Sequence, residues 1–360
     1  MLIAVLLLDA LSLPLIDSAT HSSGGHYWMK KQAVLVGLSL FALALGTFIN
    51  YRDMVNISPW IYGATIALLV LVLFIGDEVL GARRWIDLGL FPLQPSELAK
   101  VAVVLFGARL LSRWEDPPEN FWDFVMYYAW FVPALLLIMK QPDLGTSLVL
   151  VAVSTGMLYF SGTPGIKILR LGFLALLVLA LLLAANRYLG LPLPLKDYQI
   201  KRITTLFNPQ QDPLGTGYQV LQSKIAIGSG MLWGKGLGKG TQNRLDFIPE
   251  QHTDFIFSVV GEELGFFRTL LVLGLYLIIL IRCLIACVTA ADKEGTLVTA
   301  GILSMFLFHL VVNLGMTMGI MPVTGVPLPF LSHGGSALLV NSFAVGLVLN
   351  VGWNRHKILF

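Results

Sequence analysis

The sequence predicts an all-α, polytopic integral membrane protein. It should have about ten transmembrane helices and a large extracytoplasmic loop between the seventh and the eighth. Three observations carry that expectation. Only 12% of the 360 residues are charged and 56% are hydrophobic, whereas a soluble domain is about one quarter charged. Mean hydropathy is +0.78. The apolar stretches are long and continuous, not alternating segments of about ten residues, so they read as helices and not as barrel strands. They also recur at the length a bilayer requires.

In chain order the stretches fall at 1–19, 32–49, 59–76, 97–111, 123–139, 144–161, 166–187, 265–287, 296–317 and 334–352. The first is the weakest, being short and carrying Asp9 and Pro14. It shows no basic leader and no cleavage motif, so it is not read as a signal peptide. The fifth and sixth are separated by a tight turn at KQPDLG. The eighth carries Cys283 and Cys287 on one helical face; that spacing suits a disulfide poorly, and two cysteines make no metal site, so they read as packing. No repeat and no disordered linker interrupts the pattern. Residues 1–360 therefore read as a single membrane domain, with 188–264 as a large extracytoplasmic loop within it.

An even number of spans puts both termini on one side. Short loops on that side hold Arg52, Arg113, Lys167, Arg170, Arg282, Lys293, Arg355 and Lys357, against Lys30, Lys31, Arg83, Arg84 and Lys140 on the other. The bias places the termini in the cytoplasm. A formal net charge of +3, with no basic run interleaved with aromatics, argues against a nucleic-acid partner.

The long loop is where chemistry concentrates. It carries Lys201, Arg202, Lys224, Lys235, Lys239 and Arg244, the amides Asn208, Gln219 and Gln222, and an apolar segment, GYQVLQSKIAIGSGMLW, suited to lie on the membrane surface. A solvated lid with interfacial anchors is the plainer reading. The run GKGLGKG at 234–240 matches neither phosphate-loop pattern and follows no strand, although lysines flanked by glycines could approach a diphosphate from the side. At the loop's end, RLDFIPEQHTDFIFSVVGEELGF places Asp246, Glu250, His252, Asp254, Glu262 and Glu263 within about twenty positions. Pro249 stops any preceding helix and Thr253 is a candidate cap. Asp254 would then sit in the first helical turn, sharing a face with Ser258, Gly261 and Glu262. An Asp at a helix start often does no more than complement the dipole. Here Glu250, Asp254 and Glu262 are expected to converge near the loop's basic residues, which argues for a site. His252 raises a metal, but its spacing from Asp254 specifies no geometry; a divalent cation, Mg or Mn, shared with a diphosphate stays open.

Two further constellations stand out. In QPSELAK, Ser96 is a candidate cap and Glu97 and Lys100 are spaced to pair on one helix face inside the bilayer. Asp143, in KQPDLGT, stands at another helix entrance on the same side. GIMPVTGVPLPFLSHGGSA breaks helix geometry at membrane depth, so it must be buried in protein or line a cavity.

Together these stretches resemble the SEDS family (shape, elongation, division and sporulation), the group of RodA, FtsW and SpoVE. Asn313, Gly319 to Pro322, Gly325-Val326, Phe330 to Ser332 and Gly334 to Ala337 follow that family's C-terminal signature. So do QPSELAK, QPDLGTS, NPQQDPLGTGYQVLQS and PEQHTDFIF, in the family's order and over nearly the whole chain. His333 departs, since the family usually has Tyr, Ser or Ala there. The stretch LDFIPEQHTDFIF is more similar to the elongation branch than to the division branch. Relative to the family, the short start suggests that part of the first helix's leader is missing.

The resemblance implies a ten-helix glycosyltransferase that polymerises lipid II at the outer face of the bacterial cytoplasmic membrane, for rod-shape elongation. The implied partners are lipid II, membrane lipid and a class B penicillin-binding protein. It assigns Asp254 to the family's essential acid. The substrate-binding set is then Arg202, Gln222, Lys224, Glu250, His252 and Ser332, with Glu97, Lys100, Asp143 and Glu262 structural or cavity-lining. No cofactor is required by the residues. A flippase for lipid II and a non-catalytic scaffold are the alternatives; no inverted repeat supports the first, and the second leaves the polar cluster unexplained.

Overall fold

The computed structural model describes residues 1–21, 24–79, 82–87, 89, 91–189, 197–207, 212, 215–245 and 247–354. Asn208, Asp246, Arg355 and Lys357, and the side chain of Lys201, lie outside the described residues. Each of the ten apolar stretches forms a helix or, for the fifth, a bent pair. They are α1 (Leu2–Ala19), α2 (Gly25–Phe48), α3 (Tyr51–Ile75), α4 (Pro95–Ser112), the pair α5 (Phe121–Ala129) and α6 (Val132–Lys140), α7 (Leu144–Phe160), α8 (Gly165–Leu189), α12 (Ile256–Val288), α13 (Lys293–Thr317) and α14 (Gly335–Trp353). The long loop contributes α9 (Asp197–Phe207), α10 (Thr216–Ser229) and α11 (Thr241–Arg244).

Among the described residues seven helices are long and apolar enough to cross a membrane, or eight if α5 and α6, bent by 54°, form one span. α7 is shorter at 17 residues, and α4 carries Glu97, Lys100 and Arg109. The helix starts follow local chemistry. Asn50 caps α3 by accepting from Arg52 N, Asp143 caps α7 by accepting from Thr146 N, and Asp292 caps α13 by accepting from Gly295 N. Each such cap is worth about 1 kcal/mol. Ser96 is not a cap: Pro95 begins α4, and Gln94 precedes it. The all-α expectation omitted a small antiparallel sheet between α3 and α4, built of β1 (Asp77–Val79), β2 (Ala82–Asp87) and β3 (Pro92–Leu93) in that order. Asp77 pairs with Trp85, and Ile86 with Leu93.

The core lies where α4, α7, α13 and α14 meet, and α2 closes on α14 through glycines. A Cβ on Gly46 would stand 2.4 Å from Phe343 O and 3.2 Å from the Gly346 Cα. Small residues let membrane helices approach to backbone contact. At the other extreme, no residue in the apolar window of α8 is buried. Its start packs on the core through Ile168 and Leu171, and an all-round apolar helix so little covered by protein suits lipid.

α12 is broken. Gly265 has φ 72° and ψ −179°, a conformation essentially confined to glycine. The break frees carbonyls below and N–H groups above it, and the loop after α10 takes both. Lys235 N and Gly236 N donate to Glu262 O and Glu263 O, while Phe266 N and Phe267 N donate to Met231 O and Leu232 O. A Cβ on Gly265 would stand 2.1 Å from Gly234 N. Gly265→Ala should therefore cost at least the ~1–3 kcal/mol of the strained backbone. The expected outcome is a clearly lower melting temperature in detergent; a wild-type melt would show that the break is dispensable.

Candidate active site

Helix starts, an irregular segment and the small sheet enclose a cavity of about 530 Å³. Its wall holds Arg84, Gln94, Glu97, Lys100, Asp143, Arg202, Glu250, Asp254, His309, Thr324, Gly325 and His333. Asp254 belongs to a turn at 250–255 and not to a helix. α12 begins at Ile256 with Phe255 as its N-cap and no side-chain cap. The Thr253 hydroxyl turns back to Glu250 O at 3.1 Å and so caps nothing. The shared helical face with Ser258 and Gly261 accordingly does not exist for Asp254.

The turn is held by Asn313 of α13 and by the irregular segment 318–334. Asn313 Nδ2 donates to Asp254 O at 2.9 Å and to Val326 O at 2.8 Å. Ser332 Oγ donates to Thr253 O at 2.6 Å and accepts from Leu328 N at 2.8 Å. His333 N donates to His252 O at 2.8 Å. Gly325, at φ 76°, faces Asp254; a Cβ there would lie 3.2 Å from Oδ2. Among the described residues no donor bonds the Asp254 carboxylate. Burial pushes its pKa up to about 7; Glu250 and Asp143 add to the rise, while Arg202 and Arg84 oppose it.

Two guanidinium groups share the wall. Arg202 Nη1 donates to Thr324 O at 3.2 Å. Arg84, on β2, donates Nε to Gln141 O at 2.6 Å and Nη2 to Pro142 O at 2.7 Å. Asp143 is consumed by its cap: Oδ1 accepts from Thr146 N at 3.0 Å, and Oδ2 from Thr146 Oγ1 at 2.8 Å and Gln94 Nε2 at 3.1 Å. Glu97 and Lys100 pair as the spacing predicts, with Nζ 2.6 Å from Oε2 and both groups almost fully buried.

The other expected site residues lie elsewhere. Glu262 does not converge on Asp254. Its Oε1 accepts from Lys235 Nζ at 2.6 Å, Thr241 N at 2.8 Å and Gln242 N at 3.1 Å. Glu263 accepts from Gly238 N and Gly240 N at 3.1 and 3.3 Å and from the Ser18 hydroxyl. The glycine run at 234–240 thus wraps around the protein's own carboxylates, which leaves no phosphate loop there. Gln222 is half-buried and Lys224 exposed on α10, and neither lines the cavity. The Lys224 ammonium lies against Gly319. His252 packs between Trp28 and His333, with ring centroids 5.3 and 5.9 Å away. Burial lowers its pKa, against the Glu250 charge. Ser332 serves the backbone. Among the described residues no group of three or more His, Cys, Asp or Glu could hold a metal.

Sequence reasoning did not assign Arg84, Gln94, His309 or His333 to the site. Arg84 reads from the sequence only as a loop charge, because ARRWID shows no regular apolar-polar alternation that would mark it as a strand. His333 Nδ1 lies 2.8 Å from Gln32 Oε1, an acceptor, which places the proton on Nδ1. Burial, then His252 and Lys31, bring its pKa down to about 4, so it is neutral at pH 7.

The family model FtsW/RodA/SpoVE, described as a cell cycle protein, matches residues 1–357. The chain is 38% identical over 358 residues to the peptidoglycan glycosyltransferase MrdB of Escherichia coli K12, covering 99% of this chain and 94% of the relative. It is 38% identical over 334 residues to the stage V sporulation protein E of Bacillus subtilis, covering 90% and 87%. It is similar in structure to a chain of a peptidoglycan synthase complex that coordinates polymerization and crosslinking (TM-score 0.82, 34% identity, 99% and 97% covered). It is also similar to the rod shape determining protein RodA of Thermus thermophilus (TM-score 0.72, 31% identity, 99% and 96% covered).

The Asp254 geometry has a thermodynamic consequence. Its carboxyl titrates near 7 in the fold against an ordinary 3.8. Over that interval the unfolded chain holds the fewer protons, so wild type loses stability as pH rises from about 4 to about 7 and no further from this group. Asp254→Asn lacks that loss. Its melting temperature should match wild type at pH 4 and exceed it by a margin that levels off above pH 7. Glu250→Gln should bring the plateau to lower pH. A margin independent of pH would place the Asp254 carboxyl at its ordinary value.

Proposed function

The chain belongs to the FtsW/RodA/SpoVE family, and from that premise we propose that it is a peptidoglycan glycosyltransferase that polymerises lipid II. The observation that carries this reading is one unshared carboxylate, Asp254, beside two guanidinium groups in a single cavity. In lipid II the anomeric carbon is α-linked to a polyprenyl diphosphate, and the new bond is β. Inversion in one displacement needs one base and no enzyme nucleophile. On this reading Asp254 takes the proton from the acceptor 4-hydroxyl as that oxygen bonds the anomeric carbon. The bond to diphosphate breaks, and the leaving group departs with the electron pair. A carboxyl near 7 is half ionised at neutral pH and matched to such work. Arg84 and Arg202 offset the charge on the departing diphosphate. Their guanidinium forks are fixed by backbone carbonyls, so little reorganisation is needed when that charge develops. No resident cofactor is required, and a divalent cation shared with the diphosphate would add to the same offset.

The direct test is strand synthesis from lipid II by the purified protein in detergent. Wild type should polymerise, with a rate that climbs through about pH 7 as Asp254 ionises. Asp254→Asn should lose a factor of about a hundred to ten thousand. A chelator arm reports the cation, and addition of a class B penicillin-binding protein should raise the rate. No strands from wild type, with or without that partner, would leave a flippase or a scaffold as the better reading. Full activity in Asp254→Asn would remove the base.

For location we propose the bacterial cytoplasmic membrane, with both termini cytoplasmic and the 188–264 loop outside. The support is the basic bias of the short loops. In spheroplasts, Lys239→Cys should react with an impermeant thiol reagent and Asp116→Cys should not. The reverse pattern would invert the topology.

A further inference from the structure

The cavity wall contains a buried imidazole that the mechanism above leaves unused. His309, on α13, is fully buried and faces Lys100 on α4. His309 Nδ1 lies 2.7 Å from Met305 O, the carbonyl one turn earlier. A carbonyl only accepts, so Nδ1 carries the proton and Nε2 presents its lone pair. That lone pair is 3.1 Å from Lys100 Nζ. The tautomer is thus fixed by the helix itself, and the imidazole is a built-in acceptor for the ammonium.

Glu97 plays a different part. Its Oε2 is 2.6 Å from Lys100 Nζ but makes no aligned hydrogen bond. Glu97 supplies charge; His309 supplies direction. An ammonium has three N–H donors. With one given to His309 and charge balance from Glu97, Lys100 still lines the cavity. His309 stands eight residues before Thr317, the last residue of α13, or about 12 Å along the helix. A cation kept at that depth is expensive and marks function. An anion reaching the same depth in an apolar bundle arrives most readily on a lipid.

We propose that His309 is a positioning residue that aims the Lys100 ammonium into the cavity floor as an anion-binding donor. The anion it takes is a diphosphate carried on an isoprenoid lipid. The lipid identity rests on the glycosyltransferase reading; the geometry of the donor does not.

The test is direct binding to the purified full-length protein, without turnover. Farnesyl diphosphate is the probe, with farnesol and inorganic diphosphate as comparisons. Wild type should bind farnesyl diphosphate more tightly than either. His309→Leu should weaken that binding by about tenfold to a hundredfold, the worth of a charge-assisted hydrogen bond, and leave farnesol unchanged. His309→Gln keeps an acceptor within reach and should bind like wild type. His309→Asn, whose amide is too short, should behave like the Leu variant and serves if that variant does not fold. Lys100→Met should lose as much, and combining it with His309→Leu should add nothing, because both act through one ammonium.

Wild-type affinity in the Leu or Asn variant, equal loss in Gln and Asn, or additive losses would overturn the positioning role. Inorganic diphosphate binding as tightly as farnesyl diphosphate would overturn the lipid-borne ligand. A protein that binds as expected but forms no strands would sink the glycosyltransferase reading and leave this one standing. Strand synthesis with no response of binding to His309 would do the opposite.

Discussion

Irregular backbone at membrane depth must find its hydrogen-bond partners inside the protein, and the structure depends on how that demand is met at three places. Asn313 gives both N–H groups of one amide to Asp254 O and Val326 O. The loop after α10 mends the break in α12 at Gly265. Arg84 takes the carbonyls of Gln141 and Pro142 between α6 and α7. Each repair also places chemistry. The first sets the turn that carries Asp254. The second orders the loop that descends to that turn. The third fixes a guanidinium on the cavity wall. Hydrogen bonds required for folding are therefore the same ones that position the site.

The buried carboxylates divide by what they are given. Glu262 and Glu263 are fully buried and surrounded by backbone N–H groups and hydroxyls. Asp143 is spent on a helix cap and its neighbours. Glu97 has the ammonium of Lys100. Removing the partner from such a pair typically costs about 3–5 kcal/mol, so these groups are committed to structure. Asp254 alone among the carboxylates of the cavity wall receives its cations at a distance and no donor among the described residues. A carboxylate left with its lone pairs unused is one that can accept a proton from something else.

Much of this was legible in the sequence, and the losses have identifiable causes. The ten apolar stretches became helices because continuous apolar runs of that length have few other options. Glu97 and Lys100 met because spacing within one helix fixes proximity. Long-range placement was not legible. Glu262 follows Asp254 by eight residues, yet it turns toward Lys235 and the backbone N–H groups of Thr241 and Gln242, which become available only when that loop folds over α12. Gln222 and Lys224 share α10 with residues that pack on α12, but no local signal says which face α10 presents to the cavity. Arg84 was visible as a charge and invisible as a site residue, because a three-stranded sheet of short strands leaves little pattern. His309 sits in an apolar helix, where a lone histidine is ordinarily a packed one, and only its meeting with α4 gives it meaning.

Two effects compete at Asp254: a helix dipole would keep it ionised, and low polarity would neutralise it. The structure decides this by position. Asp254 precedes α12 by two residues, and its carboxylate caps nothing, so the N–H groups at the helix start do not reach it as hydrogen-bond donors. The dipole's influence fades within about one turn. Burial then dominates, Glu250 reinforces it, and Arg202 and Arg84 only moderate it. The turn at 250–255, with Pro249 before it and Asn313 and Ser332 pinning its backbone, is what keeps Asp254 out of the helix and near neutrality in its titration. The fold thus sets the basicity of the group through the conformation of six residues.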